Sequence, residues 1–341
     1  MNAAIDCGFR VVKPDHEDWD RYVRDHANGT VFLTSAMIRA FEATRGFSPY
    51  AVAALGAEGR ICAMLVSYHV KTLELAAPIS SRAVQFAEPL CDPDPKGSGA
   101  LTGLIHLHDK HMRNRSLLCE VRSIYEPGDE KEVLLSAGYE FHDYVNYLVD
   151  LQSDADVLWK NLQKKLRQQV RAAARKGVEV RDDNTLEGID RLYNLLQETY
   201  SRAQIPVPDK SLFVNTLEQL PQEWVRLRTA FFDGKPVASI MSLTYGDRIF
   251  SWYGGTLRLG GLSPFASIVW EDLEWGSRNG YKYYDFGGAG WAGQDYGPRG
   301  FKARFGGEEV RFGRYTKTYS KMRRRLAELG FSVSRRIGIW S

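Results

Sequence analysis

Long apolar runs are absent from this chain. Nowhere do the roughly 20 consecutive apolar residues needed to cross a bilayer occur, and no charged stretch leads into an apolar one at the N-terminus. A helical membrane protein is excluded, and the expected location is the cytoplasm. Cysteine is scarce: Cys7, Cys62, Cys91 and Cys119 are widely spaced in apolar surroundings and form no CxxC or Cys/His pattern. No metal centre is expected, and the thiols read as reduced and structural. The net charge of +3 is too small to indicate a partner by itself.

What is present is ordinary globular composition, 44% apolar and 26% charged, over 341 residues. That length suits two domains, each with its own core. The first half reads as a strand at 9–13, helices around 17–25 and 35–44, and an extended pair at 50–55 and 61–70 joined through Ala57-Glu58-Gly59. A strand near 84–86, a helix near 101–112, a strand at 117–121, a short helix at 130–136 capped by Gly138 and a strand at 139–149 complete it. The second half repeats the order. A long helix at 154–176 ends at Gly177, and helices follow at 186–201 and 210–220. Then come a hairpin over 225–245 turning at Asp233-Gly234-Lys235, a strand at 248–253, a helix at 265–277, a strand at 281–286, a Gly-rich loop and a closing strand at 308–319. The boundary is placed near Asp150, where Ser153 and Asp156 form an acidic variant of the capping box, giving domains 1–150 and 151–341. A last helix is expected at about 320–329.

Charge is unevenly spread. From Lys160 to Lys176 there are seven Lys or Arg and no acid, and from Arg311 onward nine Lys or Arg face the single acid Glu328. In the first segment Leu158, Leu162, Leu166 and Val170 form an apolar stripe that docks one face and leaves the cations outside. Such a face suits the phosphates of a nucleic acid or serves as a solvated surface. In the second, Lys321, Arg323, Arg324 and Arg325 beside Leu326, Leu329, Phe331 and Trp340 suit an anionic membrane leaflet.

The most informative stretch is Tyr283-Tyr284-Asp285-Phe286-Gly287-Gly288-Ala289-Gly290, followed by Tyr296-Gly297-Pro298-Arg299-Gly300 and Phe301-Lys302-Ala303-Arg304-Phe305-Gly306-Gly307. Glycines let backbone turn sharply or approach a ligand, and ligands of open α/β sheets collect beyond strand ends. These segments resemble the closing signature of the FemABX family of peptidoglycan-bridge aminoacyltransferases. Leu166-Arg167-Gln168-Gln169-Val170-Arg171-Ala172-Ala173, Tyr200-Ser201-Arg202 before Pro206 and Pro208, and Trp252-Tyr253-Gly254-Gly255 support the resemblance, which spans roughly 30–320 and is stronger in the second half.

The resemblance implies an α/β (α+β) fold of two tandem GNAT-like acyl-CoA N-acyltransferase modules with mixed sheets, an order of elements that matches the one read above. It also implies an acyltransferase: an amine attacks an activated carbonyl, and fixed positive charge stabilises the oxyanion. By resemblance Lys302 carries that charge, with Arg304 beside it. Arg202 stands where the family grips a diphosphate, for which guanidinium geometry suits, and Tyr253, at its strand end, is a further substrate-binding candidate. Where the family places a lysine on the early helix this chain has Glu42, with Arg39 three residues earlier as the remaining cation. Asp285 and Glu120, the latter beside Arg122, are the candidates for a general base, each also readable as a structural ion pair.

The implied partners are aminoacyl-tRNA as donor and an amine of a cell-wall precursor as acceptor, with peripheral membrane contact on the inner face and no DNA. No cofactor is required. The alternative is an acyl-CoA-dependent N-acyltransferase acting on an exopolysaccharide sugar or small amine. For it, Arg258-Leu259-Gly260-Gly261-Leu262-Ser263 is similar to the acetyltransferase loop that holds the coenzyme A pyrophosphate at a helix N-terminus. A non-catalytic tRNA- or membrane-binding module is the third reading.

Overall fold

The computed structural model describes residues 9–71, 81–294, 296–320 and 322–323. Cys7 and nearly all of the expected closing helix, with Lys321, Arg324, Arg325, Leu326, Leu329, Phe331 and Trp340, lie outside the described residues. Two compact units form: one from the residues up to Asp143 together with those from Phe312 on, the other from Tyr144–Arg311. The division therefore falls one strand earlier than Asp150, and the closing segment is shared between the units. No helix among the described residues is long and apolar enough to cross a membrane.

In the first unit, helices α1 (Trp19–Asp25) and α2 (Ser35–Glu42) precede the hairpin of β2 (Phe47–Leu55) and β3 (Ile61–Val70). The sheet runs β1-β2-β3-β4-β6-β15-β7, where β1 is Arg10–Val12, β4 Arg82–Gln85, β6 Leu118–Arg122, β7 Glu140–His142 and β15 Arg314–Thr318; the short β5 (Leu90–Cys91) also pairs β3. The pairing of β4 with β6 is parallel and the rest antiparallel, a mixed sheet. Helix α3 (Pro95–Met112) starts six residues before the expected position. Asp94 caps it through the amide of Gly97 at 2.6 Å, and Pro95 opens its first turn. Its Leu101, Leu104 and Ile105 pack on Val52, Ala63, Leu65, Cys119 and Val121 of the sheet, and α4 (Glu130–Ser136) adds Val133 and Leu134. Cys62, Cys91 and Cys119 are free thiols.

The second unit has the sheet β14-β8-β13-β12-β11-β10-β9, in which β8 is Tyr144–Asp150, β9 Glu179–Asp182, β10 Val225–Phe232, β11 Lys235–Tyr245, β12 Arg248–Thr256, β13 Tyr283–Trp291 and β14 Glu308–Val310. Asp233 and Gly234 take positive φ of 50° and 72°, the two-residue turn their sequence signals. The expected 154–176 helix is in fact two, α5 (Ala155–Asn161) and α6 (Lys164–Arg175). Leu162 and Gln163 between them are extended, and the Arg167 guanidinium takes up the carbonyls of Lys160 and Leu162 that the break releases. No side-chain cap bond forms at the start of α5, whose N-cap is Asp154 rather than Ser153. Helices α7 (Leu186–Ala203), α8 (Ser211–Gln219) and α9 (Pro264–Arg278) follow. The stripe Leu158, Leu162, Leu166, Val170 and Ala173 joins Ile268, Val269 and Leu273 of α9 in one core, and Trp159 meets Trp270 edge-on at 4.7 Å.

Two further expectations are revised. The strand read over 139–149 divides at Asp143 into β7 and β8, and the one read over 308–319 divides into β14 and β15 around Gly313, whose φ is +80°. The loop expected after Phe286 is instead strand: β13 runs on through Gly287, Gly288 and Gly290 to Trp291.

Glycines of the resembling motifs have packing reasons. A Cβ on Gly255 would lie 2.3 Å from the backbone carbon of Leu195, so α7 rests directly on β12. Gly306 is left-handed and pressed on the Asn161 carbonyl, and a Cβ on Gly307 would lie 2.6 Å from the Leu148 carbonyl oxygen. Gly255→Ala is expected to lower stability by about 1–3 kcal/mol, read as a lower denaturation midpoint. Gly260→Ala, where a Cβ meets nothing within 4 Å, leaves the midpoint unchanged.

Candidate active site

Strands β12 and β13 lie parallel and pair over only three positions, Arg248↔Tyr283, Ile249↔Tyr284 and Phe250↔Asp285. Beyond them the strands part, and β13 shifts register against β8 twice, around Gly288. Parting strands leave main-chain carbonyls without a ladder partner, and buried polar groups need one. Lys302 supplies it. The short helix α10 (Gly297–Lys302) ends by sending the ammonium to the carbonyls of Phe286, Gly287 and Gly288 at 2.7, 3.0 and 2.8 Å. An ammonium has three protons, so this geometry uses all of them. Burial lowers the Lys302 pKa to about 8, while the nearby Asp285 carboxylate pulls the other way. A concentrated positive charge thus sits on β13 just past the point where its pairing with β12 ends.

Asp285 is fully buried. Its Oδ1 accepts from Asn146 Nδ2 at 2.7 Å and the Gly287 amide at 2.8 Å, and its Oδ2 accepts from Arg248 Nη1 at 2.9 Å. A carboxylate so enclosed ties β8, β12 and β13 together and has no open path to a substrate amine; its place is in the scaffold. Glu120 lies in the other unit, on β6, bonded to Arg122 at 2.5 Å and Arg314 at 3.2 Å. Burial works to raise its pKa, but the two guanidinium groups outweigh burial and hold the carboxyl below its usual range. That direction is opposite to the one a base for an amine needs. Neither expected base has the geometry for the role.

Arg304 stacks over Phe301 at 5.1 Å and donates to Gln169 Oε1 of α6 at 3.0 Å. Arg202, in the last turn of α7, bonds Glu198 at 2.9 Å and the carbonyl of Thr256, the last residue of β12, at 2.6 Å. Tyr253 lies among Tyr200, Phe213 and Trp252, with Phe213 edge-on at 5.1 Å. Burial pushes the Tyr200 phenol up, and the Tyr253 and Tyr296 hydroxyls add to it, so three phenols converge. Lys302, Asp285, Arg304, Arg202 and Tyr253 all belong to the second unit. Arg39 lies exposed on α2 of the first, bonded to Ser35 Oγ at 3.2 Å.

Sequence reasoning missed Asn146, Arg248 and Arg299. Arg299 donates to the carbonyls of Ala289 and Trp291 at 3.0 and 2.6 Å, doing for the far end of β13 what Lys302 does for its middle. It stands two residues before Phe301 of the closing motif, so its basic character next to Pro298 was the available signal. Asn146 and Arg248 are isolated in strands distant along the chain, and only the sheet pairs them.

Residues 160–302 match a family model described as an acetyltransferase (GNAT) domain. The second unit is a GNAT-type acyltransferase domain. No curated protein matches the sequence. Among solved structures, FemX is similar at 14% identity and a TM-score of 0.67, covering 93% of this chain and 97% of that one. L-PGS from Bacillus licheniformis is similar at 14% identity and a TM-score of 0.57, over 96% and 97% of the chains. A tandem GNAT protein from the clavulanic acid biosynthesis pathway has 12% identity and a TM-score of 0.60, over 92% and 98%. The two-unit fold is therefore that of tandem GNAT proteins, as the order of elements in both halves led one to expect.

If the Lys302 charge acts in acyl transfer, the rate falls as pH rises through about 8 and the ammonium loses its proton. Lys302→Met is expected to lower transfer on the order of a hundredfold and to lack this alkaline limb, which a pH–rate profile of both proteins reads out.

Proposed function

We propose that the acyltransferase domain moves an amino acid from aminoacyl-tRNA to an amine of a cell-wall precursor. The observation that carries this reading is the seating of the Lys302 ammonium on the β13 carbonyls just past the last β12–β13 pair, within a Phe-Lys-x-x-Phe-Gly-Gly segment of the Fem type. The acceptor nitrogen attacks the ester carbonyl, the ester C–O bond breaks, and the nitrogen's surplus proton ends on the departing ribose oxygen. The fixed charge of Lys302 lowers the energy of the oxyanion formed on the way. Arg202 holds a diphosphate of the acceptor, and the aromatic group of Tyr200, Trp252 and Tyr253 forms the apolar side of the cleft. Peripheral contact with the inner membrane face fits a lipid-linked acceptor and the cations from Arg311 onward.

The donor choice rests on α9. An acetyltransferase holds a pyrophosphate with free amides at such a helix start. Here Pro264 has no N–H, while Ala266 already donates to Ser263 and Leu262 to Leu259. In the first turn that leaves Phe265 as donor. Acyl-CoA stays the second reading because Gly260 and Gly261, just before this helix, leave open space around their backbone.

Purified protein incubated with a charged tRNA pool and a diphosphate-linked amine acceptor is expected to transfer the amino acid, and not to acetylate from acetyl-CoA. Saturable acetyl-CoA binding with acetyl transfer would reverse the choice. Arg202→Ala is expected to raise KM for the diphosphate-bearing acceptor with kcat little changed, the pattern of lost uniform binding; steady-state kinetics against that acceptor decides.

A further inference from the structure

The outer face of α6 is charged in a way its fold does not need. Lys164, Lys165, Arg171 and Arg175 of α6 are exposed, as are Lys160 near the end of α5 and Lys176 just past α6, and no acid occurs from 157 to 178. Among the described residues none of the six has an ion-pair partner. Surface helices usually intersperse acids at four-residue spacing, whereas Arg167, Arg171 and Arg175 repeat one sign at that spacing and repel each other. Lys164 and Lys165 fill the first turn, where the helix dipole disfavours cations, and no acid stands there. Both features cost the isolated helix stability.

The cations also form a line. Leu166, Val170 and Ala173 are buried, and with 100° per residue Lys164, Gln168, Arg171 and Arg175 fall on the opposite side of the helix. Arg171 is steadied by its guanidinium over Trp159, 5.1 Å from the ring centre. The start of this line is fastened to the Lys302 segment. The Gln163 amide donates to the Arg304 carbonyl at 2.9 Å, Arg304 reaches Gln169 at 3.0 Å, and Gly306 is pressed on Asn161. A polyanion whose end reaches Lys302 therefore finds a row of positive charge leading away from it within the same unit.

We infer that this face of α6 is the docking surface for the phosphate backbone of the donor RNA, with Lys164, Arg171 and Arg175 as its contacts. The inference rests on aminoacyl-tRNA being the donor. Contacts of this kind read charge, not base sequence, and release counterions.

The test is fluorescence anisotropy of the full chain with unfractionated deacylated tRNA across a salt series. It compares wild type with the triple variants Lys164→Gln/Arg171→Gln/Arg175→Gln and Lys164→Glu/Arg171→Glu/Arg175→Glu, after circular dichroism has shown each to be folded. The slope of log affinity against log salt is expected to drop by about three in the Gln variant, one per cation removed. KM for aminoacyl-tRNA rises in both variants, and transfer from a short aminoacylated nucleotide stays at the wild-type rate. A wild-type slope in the folded Gln variant overturns the inference, as does wild-type binding to anionic phospholipid vesicles but not to tRNA. Transfer from aminoacyl-tRNA with the same KM in all three proteins removes the docking surface and leaves the proposed function standing. Binding of tRNA through this face without transfer does the reverse.

Discussion

The site of the second unit depends on one buried carboxylate. Asp285 sits at the last paired position of β12 and β13 and holds Asn146 of β8, Arg248 of β12 and the Gly287 amide at once. Removing one partner from such a group leaves a charge without solvation, which is costlier than losing a neutral contact. The carboxylate thus fixes where the strands part. Once they part, the carbonyls of Phe286, Gly287 and Gly288 need a donor, and Lys302 is that donor. The charge proposed to serve transfer is therefore also a structural charge, held at its place by the backbone it satisfies.

Much of this was legible in the sequence where a local physical rule applied. The Asp233-Gly234 turn, the glycines ending helices at 138 and 177, and the apolar stripe from Leu158 to Val170 all follow from backbone freedom or helical period, and all are present. The repeated order of elements and the closing motif gave the fold class. What sequence reasoning missed depends on contacts between distant segments. Gly287 and Gly288 read as loop because glycine weakens a strand, yet β8 pairs with Gly288 and Trp291, past a register shift at Gly287, and carries the strand on. The break at Leu162 and Gln163 was hidden because both residues suit a helix; it arises where Gln163 bonds the Arg304 carbonyl. Asp285 and Glu120 read equally as bases or ion pairs, and only their partners decide.

The closing motif joins these levels. Its lysine answers the carbonyls of β13, its arginine reaches α6, and its two glycines admit the backbones of α5 and β8. A seven-residue segment with so many fixed neighbours is constrained at nearly every position by packing. Its resemblance to a family signature therefore reflects the architecture of the parting strands as much as the chemistry performed between them.

The division of the chain carries a consequence for how the molecule is made. In the first unit β15 lies between β6 and β7, pairing with both, yet it is separated from them in sequence by the whole of Tyr144–Arg311. As the chain emerges from the ribosome, the later unit has all its strands in hand while the earlier one still has a gap in its sheet. Facing edges of β6 and β7 wait, unpaired, for a strand that arrives from the far side of an inserted domain. The N-terminal unit begins synthesis first and closes last.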